Sequence, residues 1–286
     1  MMNNSIRFLV LIMLTYLNAC GDNALKSIYP TNPAEDAVKQ LEAKNPDAAI
    51  DILVDALGNE IKLLYGAISS IGTDGDYAYS PAEFSDQLRP LINQLINNGH
   101  KHIPAMISVL SAAHGQKFGI DPFDIALSLA TGGADSGASN NSTITSLYPV
   151  LPEATDANKR GLNEAIAILN ALETQYYTNA DYFKQSLLFV SNISLITKSL
   201  DVAPEDGEIS ANEILTLGSN DATELLQLVE LAYQASLNSG ENDGDESAGS
   251  RSASAISDLK NELDESEGDS DNAKAQEFIT SITNAQ

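Results

Sequence analysis

Apolar residues recur every three to four positions over most of this chain, and no segment of comparable length alternates with period two. A repeat near 3.6 residues gathers side chains onto one stripe of a helix, whereas a half-buried strand needs strict alternation. The chain is therefore expected to be all-α, with antiparallel helices joined by short connections. It contains a single cysteine, Cys20, so no intramolecular disulfide supports the fold and stability must come from an apolar core.

The stripes mark the expected helices. Residues 33–66 carry Ala37, Val38 and Leu41, then Ala49, Ile50, Leu53, Ala56, Leu57 and Ile61, with Asn45-Pro46 at the turn between them. Pro46 suits a first helical turn, where its missing donor has no intrahelical partner to lose. Further helices are expected over 80–97 (Phe84, Leu88, Leu91, Ile92, Leu95), 103–117 and 122–131. Residues 132–155, rich in Gly, Ser and Asn, lack periodicity and read as a boundary between a first half, 33–131, and a second half, 156–238. That second half repeats the pattern in Leu162, Ala165, Ile166 and Leu169, in Phe183, Leu187, Val190 and Ile193, and in Leu225, Val229, Ala232 and Tyr233. From 239 to 272 the composition turns to Ser, Asp, Glu and Gly. Such a stretch is expected to stay disordered, because it buries too little apolar surface to offset the entropy of ordering. A short C-terminal helix is expected within 273–286, presenting Phe278 and Ile279.

The N-terminus has a different layout. Arg7 precedes the apolar run Phe8 to Leu17, and Asn18-Ala19-Cys20 follows. A charged start, an apolar core of about ten residues and small residues at a cleavage point are the parts of a secretory signal, and a membrane span would need about twenty apolar residues. Leu17-Asn18-Ala19-Cys20 resembles the bacterial lipobox, with Asn18 departing from its usual small residue. The resemblance implies a signal peptide over 1–19, lipidation of Cys20 as the new N-terminus, and a lipidated tether over 20–32. Three acyl chains at about 0.8 kcal/mol per buried methylene make such an anchor effectively permanent. Gly21 after the cysteine implies, by analogy with enteric sorting, the outer membrane facing the periplasm more than the inner membrane.

The formal charge of −25 excludes several partner classes. Recognition of a phosphate backbone needs clustered Lys and Arg, which this sequence lacks, so no nucleic-acid partner is expected and the membrane is reached through the lipid anchor alone.

Within 33–66, Ala37, Asn45-Pro46, Ala49-Ile50-Asp51-Ile52-Leu53 and Ala56-Leu57 resemble a tetratricopeptide hairpin, whose small residues let two helices cross closely. Glu164-Ala165-Ile166-Ala167-Ile168-Leu169 echoes part of it, without a regular period near thirty-four residues. The resemblance implies tetratricopeptide-like hairpins and binding of other proteins or peptides. An irregular helical bundle with alanine contacts serving packing alone is the alternative.

Two turns resemble calcium-binding EF-hand loops. In 72–83, Asp74, Asp76, Ser80 and Glu83 fall on ligand positions; in 202–213, Asp206, Ser210 and Glu213 do. Both lack the first-position acid, and Tyr77 stands where the first loop needs glycine. Ser80-Pro81-Ala82-Glu83 and Ser210-Ala211-Asn212-Glu213 also have the form of capping boxes, which account for the same residues without a metal. His100 and His102 offer two further metal nitrogens, with no third ligand marked. No nucleophile elbow, phosphate loop or dinucleotide fingerprint is present, so no enzymatic activity is expected. The reading that results is an envelope lipoprotein acting as a helical interaction or assembly scaffold for other envelope proteins or peptides. The alternatives are a calcium-responsive helical protein and an accessory component of a solute transporter.

Overall fold

The computed structural model describes residues 32–68, 78–132, 144–201, 209–240 and 248–284. Cys20 and the rest of 1–31 lie outside them. Among the described residues there are twelve α-helices and no strand. They are α1 (Pro33–Glu42), α2 (Pro46–Leu57), α3 (Asn59–Ile68), α4 (Pro81–Asn97), α5 (Ile103–Lys117), α6 (Pro122–Gly132), α7 (Asp156–Asn170), α8 (Asn179–Lys198), α9 (Ala211–Ile214), α10 (Ser219–Asn238), α11 (Ala248–Glu265) and α12 (Asp271–Asn284). The all-α class expected from the sequence is what the chain adopts.

Local chemistry sets the helix ends. Asn32 and Asn45 accept from the amides of Ala34 and Ala48, capping α1 and α2, and prolines occupy the first turns of α1, α2, α4 and α5. The second helix of the expected 33–66 pair does not run on. Gly58 takes φ of 100°, a conformation that disfavours any side chain, and splits it into α2 and α3.

Two cores result. The first joins α1 to α5 through Leu53, Ile61, Phe84, Leu88, Ile92, Ile107 and Leu110, and takes Ala167 and Ile168 from α7 and Ala171 and Leu172 from just beyond its end. The second runs from Ile120 to Ile282 and takes Leu162, Ala165, Ile166 and Leu169 from the same helix. α7 therefore buries two faces, packing on α4 and α5 with one and on α8 with the other, as a helix apolar on both sides must. Ala37 and Ala49 are fully buried where α1 packs on α2, but Ala56 is exposed and belongs to no crossing.

Two sequence expectations are corrected. The packing does not divide at 132–155. α6, which precedes that stretch, packs on α8 and α11 in the second core, and the contribution of α1 to α5 to the first core ends at Ala113. The chain breaks instead at Gly119 (φ 78°), where the Pro152 ring packs close. Nor are the described residues 248–265 of the expected disordered segment 239–272 disordered. Residues 248–265 form α11, which buries Ala253, Ile256, Leu259 and Leu263 against the second core. Spacings of three, three and four residues set these on one stripe among Ser, Asp and Glu, and burying each large aliphatic side chain contributes about 1.5 to 3 kcal/mol. Ser252 Oγ adds a 3.2 Å bond to the Ala126 carbonyl of α6, and Lys260 pairs with Glu230 and Asp264. The C-terminal helix is α12, with Phe278 and Ile279 fully buried.

Candidate functional site

The acidic turns resolve into helix caps wherever they are described. Ser80 Oγ accepts from the Glu83 amide at 3.2 Å, and Glu83 Oε2 accepts from the Ser80 amide and hydroxyl, both at 2.8 Å. Ser210 and Glu213 repeat this arrangement before α9. The two hydrogen bonds from Ser80 hold the Glu83 carboxyl below its ordinary range. Asp74, Asp76 and Asp206 lie outside the described residues. Among the described residues no group of three or more His, Asp or Glu is placed to hold a metal ion.

The histidines separate. His100 is exposed before α5, and His102 stands at its N-cap with Nε2 buried and unbonded. His114 lies twelve residues further along the same helix, about 18 Å away at 1.5 Å per residue.

His114 belongs to a buried polar chain that the sequence did not reveal. Its ring is only 2% exposed, with Nδ1 2.7 Å from the Tyr65 hydroxyl of α3 and Nε2 2.9 Å from Glu164 Oε2 of α7. A carboxylate only accepts, so Nε2 carries the proton. In the neutral ring Nδ1 then accepts from Tyr65. Arg160, one turn before Glu164, sets its Nε 2.8 Å from Glu164 Oε1. Its Nη2 donates to the carbonyls of Ile68 at 3.0 Å and Tyr79 at 2.6 Å, the two residues that flank the α3–α4 connection. Burial, reinforced by the Glu164 charge, pushes the Tyr65 hydroxyl well above its ordinary pKa, so it remains a donor. The chain thus ties α3, α5 and α7 together and pins both ends of a connection. His114 and Glu164 at its centre are nearly shut off from solvent, which makes it a fastening between helices.

A second cluster joins α5 to α8. Asp181 accepts from Ser108 and also closes the Thr178 capping box, while Lys184 Nζ donates to the Ser108 carbonyl at 2.9 Å. Desolvation lowers the Lys184 pKa, with Asp181 opposing. Lys198 Nζ donates to three carbonyls, those of Tyr148, Leu151 and Pro152, at 2.9, 3.1 and 3.2 Å, fastening that turn to α8.

One sign of the first cluster was present in the sequence. Glu164 interrupts the apolar run of α7 with Arg160 four residues before it, and a carboxylate on an apolar face needs a buried partner. Comparison with protein-family models, curated proteins and solved structures gives no match.

Proposed function

We propose that this chain is a lipid-anchored envelope protein whose helical body serves as an interaction or assembly scaffold for other envelope proteins or peptides. The observation that carries the reading is the order of Arg7, the apolar run to Leu17, and Leu17-Asn18-Ala19-Cys20 at its end. Among the described residues no helix is long and apolar enough to cross a membrane, so lipid on Cys20 supplies attachment in this reading. α1 packs on α2 and both Ala37 and Ala49 are buried, which supports the tetratricopeptide resemblance at those two positions and not at the exposed Ala56. Leu63 of α3, 76% exposed beside Lys62 and Gly66, offers apolar surface for a partner.

Labelling with radioactive palmitate tests the anchor. The wild-type chain is expected to take up label and shorten by nineteen residues, and Cys20→Ser to remain unlabelled at precursor length, because only the sulfur accepts the diacylglyceryl group. Normal processing and membrane retention of Cys20→Ser would refute it. A photo-crosslinking residue at 63 tests the scaffold. It should join the chain to one identified envelope protein, and that protein's recovery should fall in Leu63→Asp.

A further inference from the structure

A depression of about 420 Å³, open to solvent, lies between α4 and the segment following α7, with Arg89, Thr174 and Gln175 exposed and Glu173 half-buried along it. Its polar walls are Arg89 on one side and Glu173, Thr174 and Gln175 on the other, with Leu172 of the first core and Asn170 completing them. The two charged groups face one cavity without neutralising each other. Arg89 Nη2 donates to the Asn170 carbonyl at 3.1 Å, capping the end of α7. Glu173 Oε1 accepts from Asn93 Nδ2 at 2.6 Å, and Oε2 from Gln175 Nε2 at 2.7 Å. Each charge is thus held in position by neutral partners. Asn170 is itself fixed, its side-chain oxygen accepting from Gln185 at 2.7 Å.

This arrangement has a chemical complement. A guanidinium carries five donors in a planar fork, and the bond to Asn170 uses one, leaving a face that suits a carboxylate in bidentate fashion. Glu173 suits an ammonium. The net charge narrows the ligand further. A simple anion is repelled by a chain of charge −25, and a simple cation is attracted to forty carboxylates without selecting this one. A neutral molecule with both charges meets no long-range repulsion and matches the local field. We infer that this cleft binds a small zwitterion, its carboxylate on Arg89 and its ammonium on Glu173, with free α-amino acids as the ligand class.

The site does not depend on lipid attachment, so its failure leaves the anchor reading intact. The test is isothermal titration calorimetry on the full chain in detergent, with glycine and leucine as probes and acetate and methylammonium as half-ligands. Saturable heat is expected from the amino acids and none from either half-ligand at the same concentration. Glu173→Gln keeps a hydrogen-bonding group and Arg89→Lys keeps the charge. Each should weaken binding by about tenfold or more, which is about 1.4 kcal/mol. Thermal melts of both variants confirm that the fold persists. Acetate binding as well as glycine, no heat from either amino acid, or unchanged affinity in both variants would each overturn the assignment.

Discussion

Gly161 supplies the sharpest test of how α7 is packed. It lies in the interior of that helix, where alanine is favoured over glycine by about 1 kcal/mol. On an exposed helix Gly161→Ala would stabilise. Here a Cβ would stand 2.1 Å from Phe118 Cγ and 2.4 and 2.5 Å from the two Cδ atoms. These atoms form the base of the ring, so Phe118 escapes only by rotating at χ1. Rotation would take it off His114, whose ring centroid lies 5.1 Å away. Overpacking of this kind costs about 1 to 3 kcal/mol, and contact at the ring base points to the upper end. Net of helix propensity, Gly161→Ala should destabilise by about 2 kcal/mol. The melting temperature should fall by about 4 to 8 °C. The decisive assay is a double-mutant cycle followed by thermal and urea unfolding. With Phe118→Ala the obstacle is gone, and Gly161→Ala should change sign and stabilise by about 1 kcal/mol. A rise in melting temperature in the wild-type background, or an equal loss in both backgrounds, would refute the packing argument.

Three further outcomes follow from the same geometry. Glu164→Gln removes the charge shared by His114 and Arg160 and leaves a cation in the interior, so urea unfolding should show a loss of about 3 to 5 kcal/mol. Because the folded pKa of Glu83 lies below its unfolded value, its capping bonds stabilise fully above pH 4.5 and that contribution disappears as pH falls through the folded pKa. NMR titration should show the depressed value and its return toward normal in Ser80→Ala. Amides of Ile256 and Leu259 in α11 should exchange hydrogen as slowly as those of α10, against which they pack; exchange at unfolded-chain rates would show that 248–265 is not held in the core.

Helices α4, α5 and α6 were legible within a residue at either end, because each starts at a proline or capping signal and is apolar along its length, α5 on nearly every face. α11 was not. Its four buried positions are separated by charges and serines, and its order comes from surface supplied by α6 and α10. The break at Gly58 also escaped notice, since the apolar period continues across it and only the positive φ marks a new helix. The two halves of the His114 chain lie 49 and 50 residues from His114 in sequence, on α3 and α7. Long-range pairing of that kind depends on how helices meet, which no local pattern encodes. The capping residues Ser80, Glu83, Ser210 and Glu213 were readable because a capping box is complete within four residues.

The distribution of cations bears on how such a body would sit at a membrane. The chain has 15 basic residues against 40 acidic ones, and many of the basic side chains fasten parts of the protein to each other. Lys44, held at φ 56° between α1 and α2, bridges to Asp121 and Asp124 at the start of α6. Lys117 reaches Asp47, Arg160 is spent on Glu164 and two carbonyls, and Lys198 on three carbonyls. What remains for solvent is dominated by carboxylates, including Asp51 on the outer face of α2. A surface of that kind is repelled by anionic head groups within a Debye length of about 8 Å at physiological salt. A body tethered through Cys20 would therefore stand away from the lipid surface. Its association should favour basic or neutral partners, and high salt should weaken binding of a basic one while leaving zwitterion binding at the Arg89 cleft largely unchanged.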